Sequence, residues 1–155
     1  MLHKLQYISQ AKGNPFSNLR NIESVLDAGV KLVQLRLKNI TDETYIEFGC
    51  RAKELCVKHQ AQLIINDNPL VAKKCNADAV HLGLDDMSIS EARKILPDKI
   101  IGGTANTFEH IVQRCTEKVD YIGLGPYRFT NTKEKLSPIL GIEGYQNIIQ
   151  QIFTS

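Results

Sequence analysis

The sequence predicts an α/β protein, residues 1–155 forming a single domain, in which short parallel strands alternate with amphipathic helices. Six short runs are nearly all apolar, and each is followed by a segment with helical spacing of its apolar residues. Strands that are apolar on both faces are typical of a parallel sheet covered by helices. Two architectures fit this alternation, a doubly wound open sheet and a (β/α)8 barrel.

The segments between the predicted strands carry residues that are typical of helix ends. The predicted strands cover residues 5–9, 31–37, 62–65, 79–82, 100–103 and 121–124, and the predicted helices cover residues 17–28, 41–59, 69–75, 88–96, 107–116 and 144–153. Thr41 and Thr107 are expected N-caps, and Ser88 with Glu91 three residues later forms a capping box. Gly29 is expected to end the first helix.

Composition narrows the class of protein. The chain has 155 residues and a net charge of +2, which is too small to indicate a nucleic-acid or membrane surface. It has no apolar run long enough to span a bilayer, and its first ten residues lack the apolar centre of a secretion signal. The cysteines, Cys50, Cys56, Cys75 and Cys115, form neither CxxC pairs nor zinc spacings with histidine. Reduced, mostly buried thiols in a cytoplasmic protein are therefore expected.

Nucleotide-binding motifs are absent from the places where they would be expected. The first predicted strand runs into QAKGNP, which is not the GxGxxG of a dinucleotide-binding fold, and the chain has no GxxxxGKS/T. These two common uses of a parallel sheet are therefore not indicated.

Polar side chains instead gather on and after nearly every predicted strand. They are Gln34, Arg36 and Lys38 on and after the second strand, Asn66 and Asp67 after the third, His81, Asp85 and Asp86 on and after the fourth, Thr104 after the fifth, and Thr130, Asn131, Thr132 and Lys133 in the loop after the sixth. In parallel α/β folds the carboxyl ends of the strands form the face where ligands bind. These side chains therefore mark the candidate site.

Each group also has a purely structural interpretation. The segment Asn66-Asp67-Asn68 could simply cap the helix that begins at Pro69. His81 on an apolar strand is more often a hydrogen-bonded core residue than a catalyst. Thr, Asn and Lys are ordinary residues of a surface loop.

The combination favours a binding site over these separate explanations. Asp67 and Asp86 leave neighbouring strands on the same face, and paired carboxylates beside a phosphate suit Mg2+. Arg36, Lys38 and Lys133 converge on the same rim, and an unpaired buried charge costs on the order of several kcal/mol, so these cations call for an anion. Carboxylates, metal and cations together predict a diphosphate site.

Five segments of the chain resemble the thiamine phosphate synthase (thiamine phosphate pyrophosphorylase) family. They are VQLRLK, LIINDN, ADAVHLGLDD, IIGGTANT and VDYIGLGPYRFTNTKEKLSPILGIEGY, in family order within residues 31–145. The resemblance implies a (β/α)8 TIM-barrel fold and a transferase that uses Mg2+. It implies that hydroxymethylpyrimidine diphosphate and thiazole phosphate are joined to give thiamine phosphate and diphosphate, with the diphosphate leaving before the thiazole nitrogen attacks.

The resemblance also assigns roles to residues. It implies that Gln34, Arg36, Lys38 and Asn66 contact the pyrimidine diphosphate, that Asp67 and Asp86 hold Mg2+, that Thr104 faces the pyrimidine, that Thr130, Asn131 and Thr132 bind the thiazole phosphate, and that Lys133 contacts the diphosphate. Arg36 and Lys133 are the expected catalytic residues, because neutralising the leaving diphosphate is the main task when bond cleavage leads.

Two features depart from the family pattern. Leu84 stands where the family often has glutamine. Relatives continue for roughly two more strand–helix units, as an eight-strand barrel requires. We therefore expect this chain to cover about six units of a C-terminally incomplete barrel, to bind thiazole phosphate poorly and to turn over slowly or not at all. We also expect it to form a homo-oligomer, because exposed strand edges pair with another chain.

Two alternatives remain at this point. A thiazole tautomerase of the same fold resembles the synthase but carries a histidine in the GLGP segment, where this chain has Pro126. A non-catalytic binding protein that keeps the ligand-binding groups is the second alternative. Partners in all cases are small molecules, with no nucleic acid and no membrane.

Overall fold

The computed structural model describes residues 2–10, 14–129 and 137–154, in which strands and helices alternate. The strands are β1 (Tyr7–Ile8), β2 (Leu32–Leu35), β3 (Gln62–Asn66), β4 (Ala79–Leu82), β5 (Ile100–Ala105) and β6 (Tyr121–Leu124), and the helices are α1 (Pro15–Asp27), α2 (Asp42–Lys58), α3 (Pro69–Lys74), α4 (Ile89–Ile95), α5 (Phe108–Thr116) and α6 (Gly141–Thr154). None of these helices combines the length and apolarity that a membrane span needs.

The strand order selects the barrel over the doubly wound sheet. All six strands are parallel and lie side by side in chain order from β1 to β6. A doubly wound sheet reverses its order at a switch point, and the six described strands show no such reversal. Successive helices contact one another as well, with α1 on α2, α2 on α3 and α3 on α4, as in the outer ring of a (β/α) barrel.

The sheet divides the apolar core into two layers, because successive side chains of a strand point to opposite faces. Val33, Leu63 and Val80 belong to the large cluster that includes the helix residues. On the other face Leu32, Ile64 and Ala79 pack together, with Ile100, Tyr121 and Leu2 against them. This second layer is the barrel interior, and the candidate site lies above it.

The strands differ from the predicted bounds where side chains become polar. β3 includes Asn66, and β5 continues to Thr104 and Ala105, because ladder pairing involves the backbone and tolerates a polar side chain on the inner face. β1 and β2 are shorter than predicted, and α6 begins at Gly141, three residues earlier than expected.

Helix caps are formed by the expected residues. The side chains of Thr41, Ser88 and Thr107 accept hydrogen bonds from the backbone three residues later, at 3.3, 3.3 and 3.2 Å respectively. Gly29 follows α1 with φ +95°, the left-handed conformation that favours glycine after a helix.

The four cysteines are free thiols. Cys56 and Cys75 are buried, Cys50 is half-buried and Cys115 is exposed. Burial raises the pKa of Cys56 to about 12 and that of Cys75 to about 11. Both thiols therefore stay protonated and unreactive at neutral pH.

Two aspartates brace the amino ends of the strands. Asp78 immediately precedes β4, and its carboxylate accepts from the backbone N–H of Leu63 at 2.7 Å and from Lys53 Nζ at 2.8 and 2.7 Å. Asp120 immediately precedes β6 and accepts from the N–H of Ile101 at 2.7 Å and from Arg93 at 2.8 Å. Each aspartate thus ties one strand to its neighbour and to the helix before that neighbour.

Substituting Asp78 with alanine should lower the free energy of unfolding by about 1–3 kcal/mol, because the N–H of Leu63 and the ammonium of Lys53 lose their acceptor. Urea denaturation measures this change. Asp98→Ala, at an exposed turn before β5, is the matched control and should stay within about 0.5 kcal/mol of the parent. Equal stability of the two variants would contradict the assigned role of Asp78.

Candidate active site

The candidate site lies on the inner face of the sheet, at the carboxyl ends of β2 to β5. Strand register places its residues side by side: Asn66 pairs with His81, and His81 pairs with Gly102, two residues before Thr104. Gln34 on β2 pairs with Ile64, two residues before Asn66, and so shares this face. Four inner-face side chains, Gln34, Asn66, His81 and Thr104, are therefore positioned by pairing alone.

A chain of side-chain amides forms the deepest part of the site. Gln6 Nε2 donates to Gln34 Oε1 at 2.5 Å, and Gln34 Nε2 donates to Asn66 Oδ1 at 2.5 Å. Gln34 and Asn66 are only 3% and 6% exposed. Buried amides that are linked in series hold one orientation, so this chain offers a fixed polar surface to a ligand. Gln6 lies within the predicted first strand but was missed by sequence reasoning, because its partner Gln34 is 28 residues away and nothing beside it marks the contact.

Asp67 occupies a tight turn directly after β3. The N–H of Asn68 donates to the carbonyl of Asn66 at 2.9 Å, closing a three-residue turn in which Asp67 has φ +68°. A turn of this kind with positive φ at its centre is rare and strained, and strained backbone clusters at functional sites. The N–H of Asp67 also donates to the carbonyl of His81 at 2.8 Å. The turn therefore aims the carboxylate along the rim.

Asn68 caps α3, as the structural interpretation of this segment expected. Its side chain accepts from the N–H groups of Leu70 and Val71 at 3.0 and 3.1 Å. Asp67 takes no part in the cap among the described contacts and instead forms an ion pair with Lys38 Nζ. Capping therefore accounts for Asn68 but not for Asp67.

Asp86 brings the second carboxyl to the rim. Its Oδ2 accepts from the N–H of Gly83 at 2.6 Å, and a Cβ at position 83 would lie 2.9 Å from the same oxygen. Burial, and then the neighbouring Asp67 carboxylate, raise the pKa of Asp86 to about 6. The Lys38 ammonium lowers the pKa of Asp86, but by less than burial and Asp67 raise it.

Thr104 is held by a hydrogen-bonded chain across the interior. His81 Nε2 lies 3.0 Å from Thr104 Oγ1, and His81 Nδ1 lies 3.0 Å from the Tyr121 hydroxyl. Glycines make room for this chain: a Cβ at Gly102 would lie 2.1 Å from the Tyr121 ring, and one at Gly123 would lie 2.8 Å from His81 Cε1. Both ring nitrogens of His81 are engaged, which agrees with the interpretation of a hydrogen-bonded core histidine.

The remaining site residues divide into two groups. Arg36 follows β2 directly, and its backbone N–H donates to Ser9 Oγ at 2.9 Å. Arg36 therefore lies at the carboxyl end of β2, and Lys38 lies on the same rim, where it pairs with Asp67. The candidate residues Thr130, Asn131, Thr132 and Lys133 lie outside the described residues.

The donor set fits Mg2+ rather than a metal held by protein alone. Within residues 2–10, 14–129 and 137–154 no cluster of three or more His, Cys, Asp or Glu side chains could hold a metal ion. Asp67 and Asp86 supply two carboxylates, and Mg2+ commonly takes one or two carboxylates together with water and substrate phosphate. The pair can therefore hold Mg2+ jointly with a phosphorylated ligand.

Fold and rim together define a (β/α)-barrel protein with carboxylates and cations gathered at the carboxyl ends of its strands. The family model described as thiamine monophosphate synthase matches residues 5–153. The chain is 54% identical to the thiamine-phosphate synthase of Flavobacterium psychrophilum, over 99% of this chain and 75% of that protein. It is 44% identical to the thiamine-phosphate synthase of Bacteroides fragilis, over 96% of this chain and 72% of that protein.

A solved structure agrees with these relatives. The thiamine phosphate pyrophosphorylase of Pyrococcus furiosus superposes with a TM-score of 0.81 at 28% identity, covering 95% of this chain and 69% of that one. The chain belongs to the thiamine monophosphate synthase family. The expected family and fold class are thus confirmed.

In metal-free protein the Asp86 carboxyl should titrate near pH 6, above its ordinary 3.8. Folding therefore takes up a proton at Asp86 between pH about 4 and about 6, so this group favours the folded state below that window and disfavours it above. Carbon-13 NMR of the carboxyl measures the pKa directly. Asp67→Asn should lower it, while Asp85→Asn, at the exposed neighbour, should leave it unchanged. An Asp86 pKa near 3.8 in the parent would contradict the assigned environment.

Proposed function

We propose that this chain is a transferase that joins hydroxymethylpyrimidine diphosphate to thiazole phosphate, giving thiamine phosphate and diphosphate. The relatives named above are thiamine-phosphate synthases. The observation that carries the proposal is the Asp67–Asp86 carboxyl pair, set beside Lys38 and above the buried Gln34–Asn66 amides. This arrangement suits a ligand that brings both a metal and a diphosphate.

In the proposed reaction, the main task of the protein is to stabilise the departing diphosphate. The bond from the pyrimidine methylene carbon to the diphosphate oxygen breaks, and its electron pair leaves with the diphosphate. The thiazole nitrogen then donates its lone pair to the methylene carbon, forming the new C–N bond. Negative charge grows on the diphosphate as the first bond breaks, so groups that stabilise this charge lower the barrier.

Asp67 and Asp86 are the residues that would hold Mg2+. The ion, when bound, neutralises charge on the diphosphate oxygens. Lys38 pairs with Asp67, so its ammonium lies beside one of the two proposed Mg2+ ligands. Lys38 and Arg36 add positive charge from the protein itself, and Lys133 is proposed to do the same from the loop after β6.

The neutral residues position the substrates. Gln34 and Asn66, which are buried and linked to each other, are proposed to contact the pyrimidine diphosphate. Thr104 is proposed to face the pyrimidine, with its hydroxyl oriented by His81. Thr130, Asn131 and Thr132 are proposed to bind the thiazole phosphate. Arg36 and Lys133 are the proposed catalytic residues, because they are the cations proposed to stabilise the charge on the departing diphosphate.

The tautomerase alternative has less support. It requires a proton-transferring histidine in the segment where this chain has Pro126. His81, the histidine on the inner face of β4, lies within hydrogen-bond distance of Tyr121 and Thr104 through its two nitrogens. The synthase is therefore the function that the site supports best.

We also propose that the protein associates with copies of itself. Leu5 and Ile8 near β1 are 68% and 51% exposed, and Phe153 on α6 is 85% exposed. Large apolar side chains that are exposed in this way favour association.

Purified protein incubated with both substrates and Mg2+ should produce thiamine phosphate, measured by oxidation to fluorescent thiochrome phosphate. Chelation of Mg2+ should abolish the product, and returning Mg2+ should restore it. Tight Mg2+-dependent binding of pyrimidine diphosphate without any product would favour the non-catalytic binding protein instead.

Asp67→Asn should weaken Mg2+-dependent diphosphate binding by about 1.5–3 kcal/mol, because a charged ligand group is lost. Asparagine is chosen because it tolerates the positive φ of position 67 as aspartate does. Calorimetric titration of Mg2+ with and without diphosphate measures the coupling. Asp85→Asn is the control, and equal coupling in Asp67→Asn and the parent would remove Asp67 from the metal site.

A further inference from the structure

Arg114 is a buried arginine outside the site residues named so far. It lies on α5 and is only 4% exposed. Its guanidinium donates from Nε to the carbonyl of Thr104 at 3.1 Å and from its two terminal nitrogens to the carbonyl of Gly83 at 2.9 Å and to the Glu117 carboxylate at 2.7 Å. A buried guanidinium is costly unless its donors are satisfied, and here each nitrogen has an acceptor.

The two carbonyls lie just beyond the last register pair between β4 and β5. Leu82 and Gly103 form that pair. Gly83 follows the end of β4, and Thr104 is the next residue of β5, where it pairs with Gly123 of β6. Arg114 therefore bridges β4 and β5 at the point where their register pairs end. It holds the two strand ends at a fixed separation from the helix side of the sheet.

The sequence makes room for this side chain. A Cβ at Gly103 would lie 2.7 Å from Arg114 Cδ and 2.8 Å from its Nε, closer than real Cβ contacts allow. Glycine inside a strand is unfavourable unless something approaches its backbone closely. Gly103 and Arg114 are therefore a matched pair, in which the missing side chain of one admits the other.

Both anchored residues carry site groups. The N–H of Gly83 donates to Asp86 Oδ2 at 2.6 Å, and the carbonyl of Gly83 accepts from Arg114. Gly83 therefore connects Arg114 to the Asp86 carboxyl. The Thr104 hydroxyl lies 3.0 Å from His81 Nε2, while the Thr104 carbonyl is held by Arg114. One buried cation thus fixes the backbone at a proposed metal ligand and at a proposed pyrimidine contact.

From this geometry we infer that Arg114 is a positioning residue, which sets Asp86 and Thr104 at the separation that a Mg2+-bound diphosphate substrate requires. The inference rests on the proposed function for the identity of the substrate. If Arg114 only attached α5 to the sheet, its loss would lower the stability of the fold and nothing else. If it is a positioning residue, its loss also weakens Mg2+-dependent binding of diphosphate.

The chain offers a matched control at the opposite end of the same strand. Arg93 donates to the carbonyl of Lys99 at 2.7 Å and to Asp120 at 2.8 Å, bracing the amino end of β5 as Arg114 braces its carboxyl end. Arg93→Met and Arg114→Met each keep an unbranched apolar stem and delete the guanidinium. They differ in which end of the sheet is released.

Three quantities should be measured for each variant: the thermal midpoint, the calorimetric affinity for inorganic diphosphate with saturating Mg2+, and kcat with KM for each substrate. We expect both variants to lose thermal stability. Arg114→Met alone should lose about 10–100-fold in Mg2+-dependent diphosphate affinity, the usual effect of removing a group that orients a metal ligand. Its kcat should fall in parallel, with KM for thiazole phosphate unchanged. Arg114→Lys, which keeps the charge but offers fewer directed donors, should recover part of the affinity.

The possible outcomes distinguish a positioning role of Arg114 from a purely structural one. An Arg114→Met protein that is less stable but binds Mg2+ and diphosphate like the parent would overturn the inference, as would an equal loss of affinity in Arg93→Met. If Arg114→Met does not fold, the same test is made on Arg114→Lys below its thermal midpoint. An Arg114→Lys protein that is less stable but binds Mg2+ and diphosphate as tightly as the parent would count against the inference. Absence of thiamine phosphate from the parent would refute the proposed function, while diphosphate binding still tests Arg114.

Discussion

Alternation of side chains across six parallel strands in sequential register is the constraint on which the rest of the structure depends. It sends one set of residues to the helices and the other to the barrel interior. Because the register keeps Gln34, Asn66, His81 and Thr104 on one face, a slip of one residue in any strand would move its polar side chain into the apolar layer under the helices. The site is therefore specified by the same pairing that specifies the fold.

Charge is distributed unevenly over this face. The carboxyls of Asp67 and Asp86 are crowded and partly desolvated, and one of them holds its proton more tightly for that reason. Lys38 offsets part of this charge from one side. Two neighbouring carboxyls are suited to a divalent cation, and a divalent cation in turn is suited to a diphosphate. Electrostatics thus favour metal and substrate arriving together.

Local patterns of the sequence predicted much of this arrangement. The order of strands and helices, the caps and the positions of Gln34, Asn66 and Asp67 follow from short-range periodicity and from the geometry that parallel strands share. Gln6 and Arg114 were not predicted, because their partners lie 28 and 31 residues away and nothing beside them in the sequence marks the contact. Paired glycines at 102 and 103 were the available signal, since glycine inside a strand indicates close approach by another group. Their meaning depends on which side chain approaches, and only the fold supplies that.

The aspartate braces at the amino ends of the strands suggest how the sheet is assembled. Asp78 joins α2, β3 and β4 through contacts that span 25 and 15 residues, and Asp120 joins α4, β5 and β6 through contacts that span 27 and 19. Each brace closes within its own helix–strand–strand segment and shares no residue with the other. The sheet is in this sense modular, with two segments whose braces each close over a short stretch of sequence, and contacts that are local in sequence form faster than those that join distant segments.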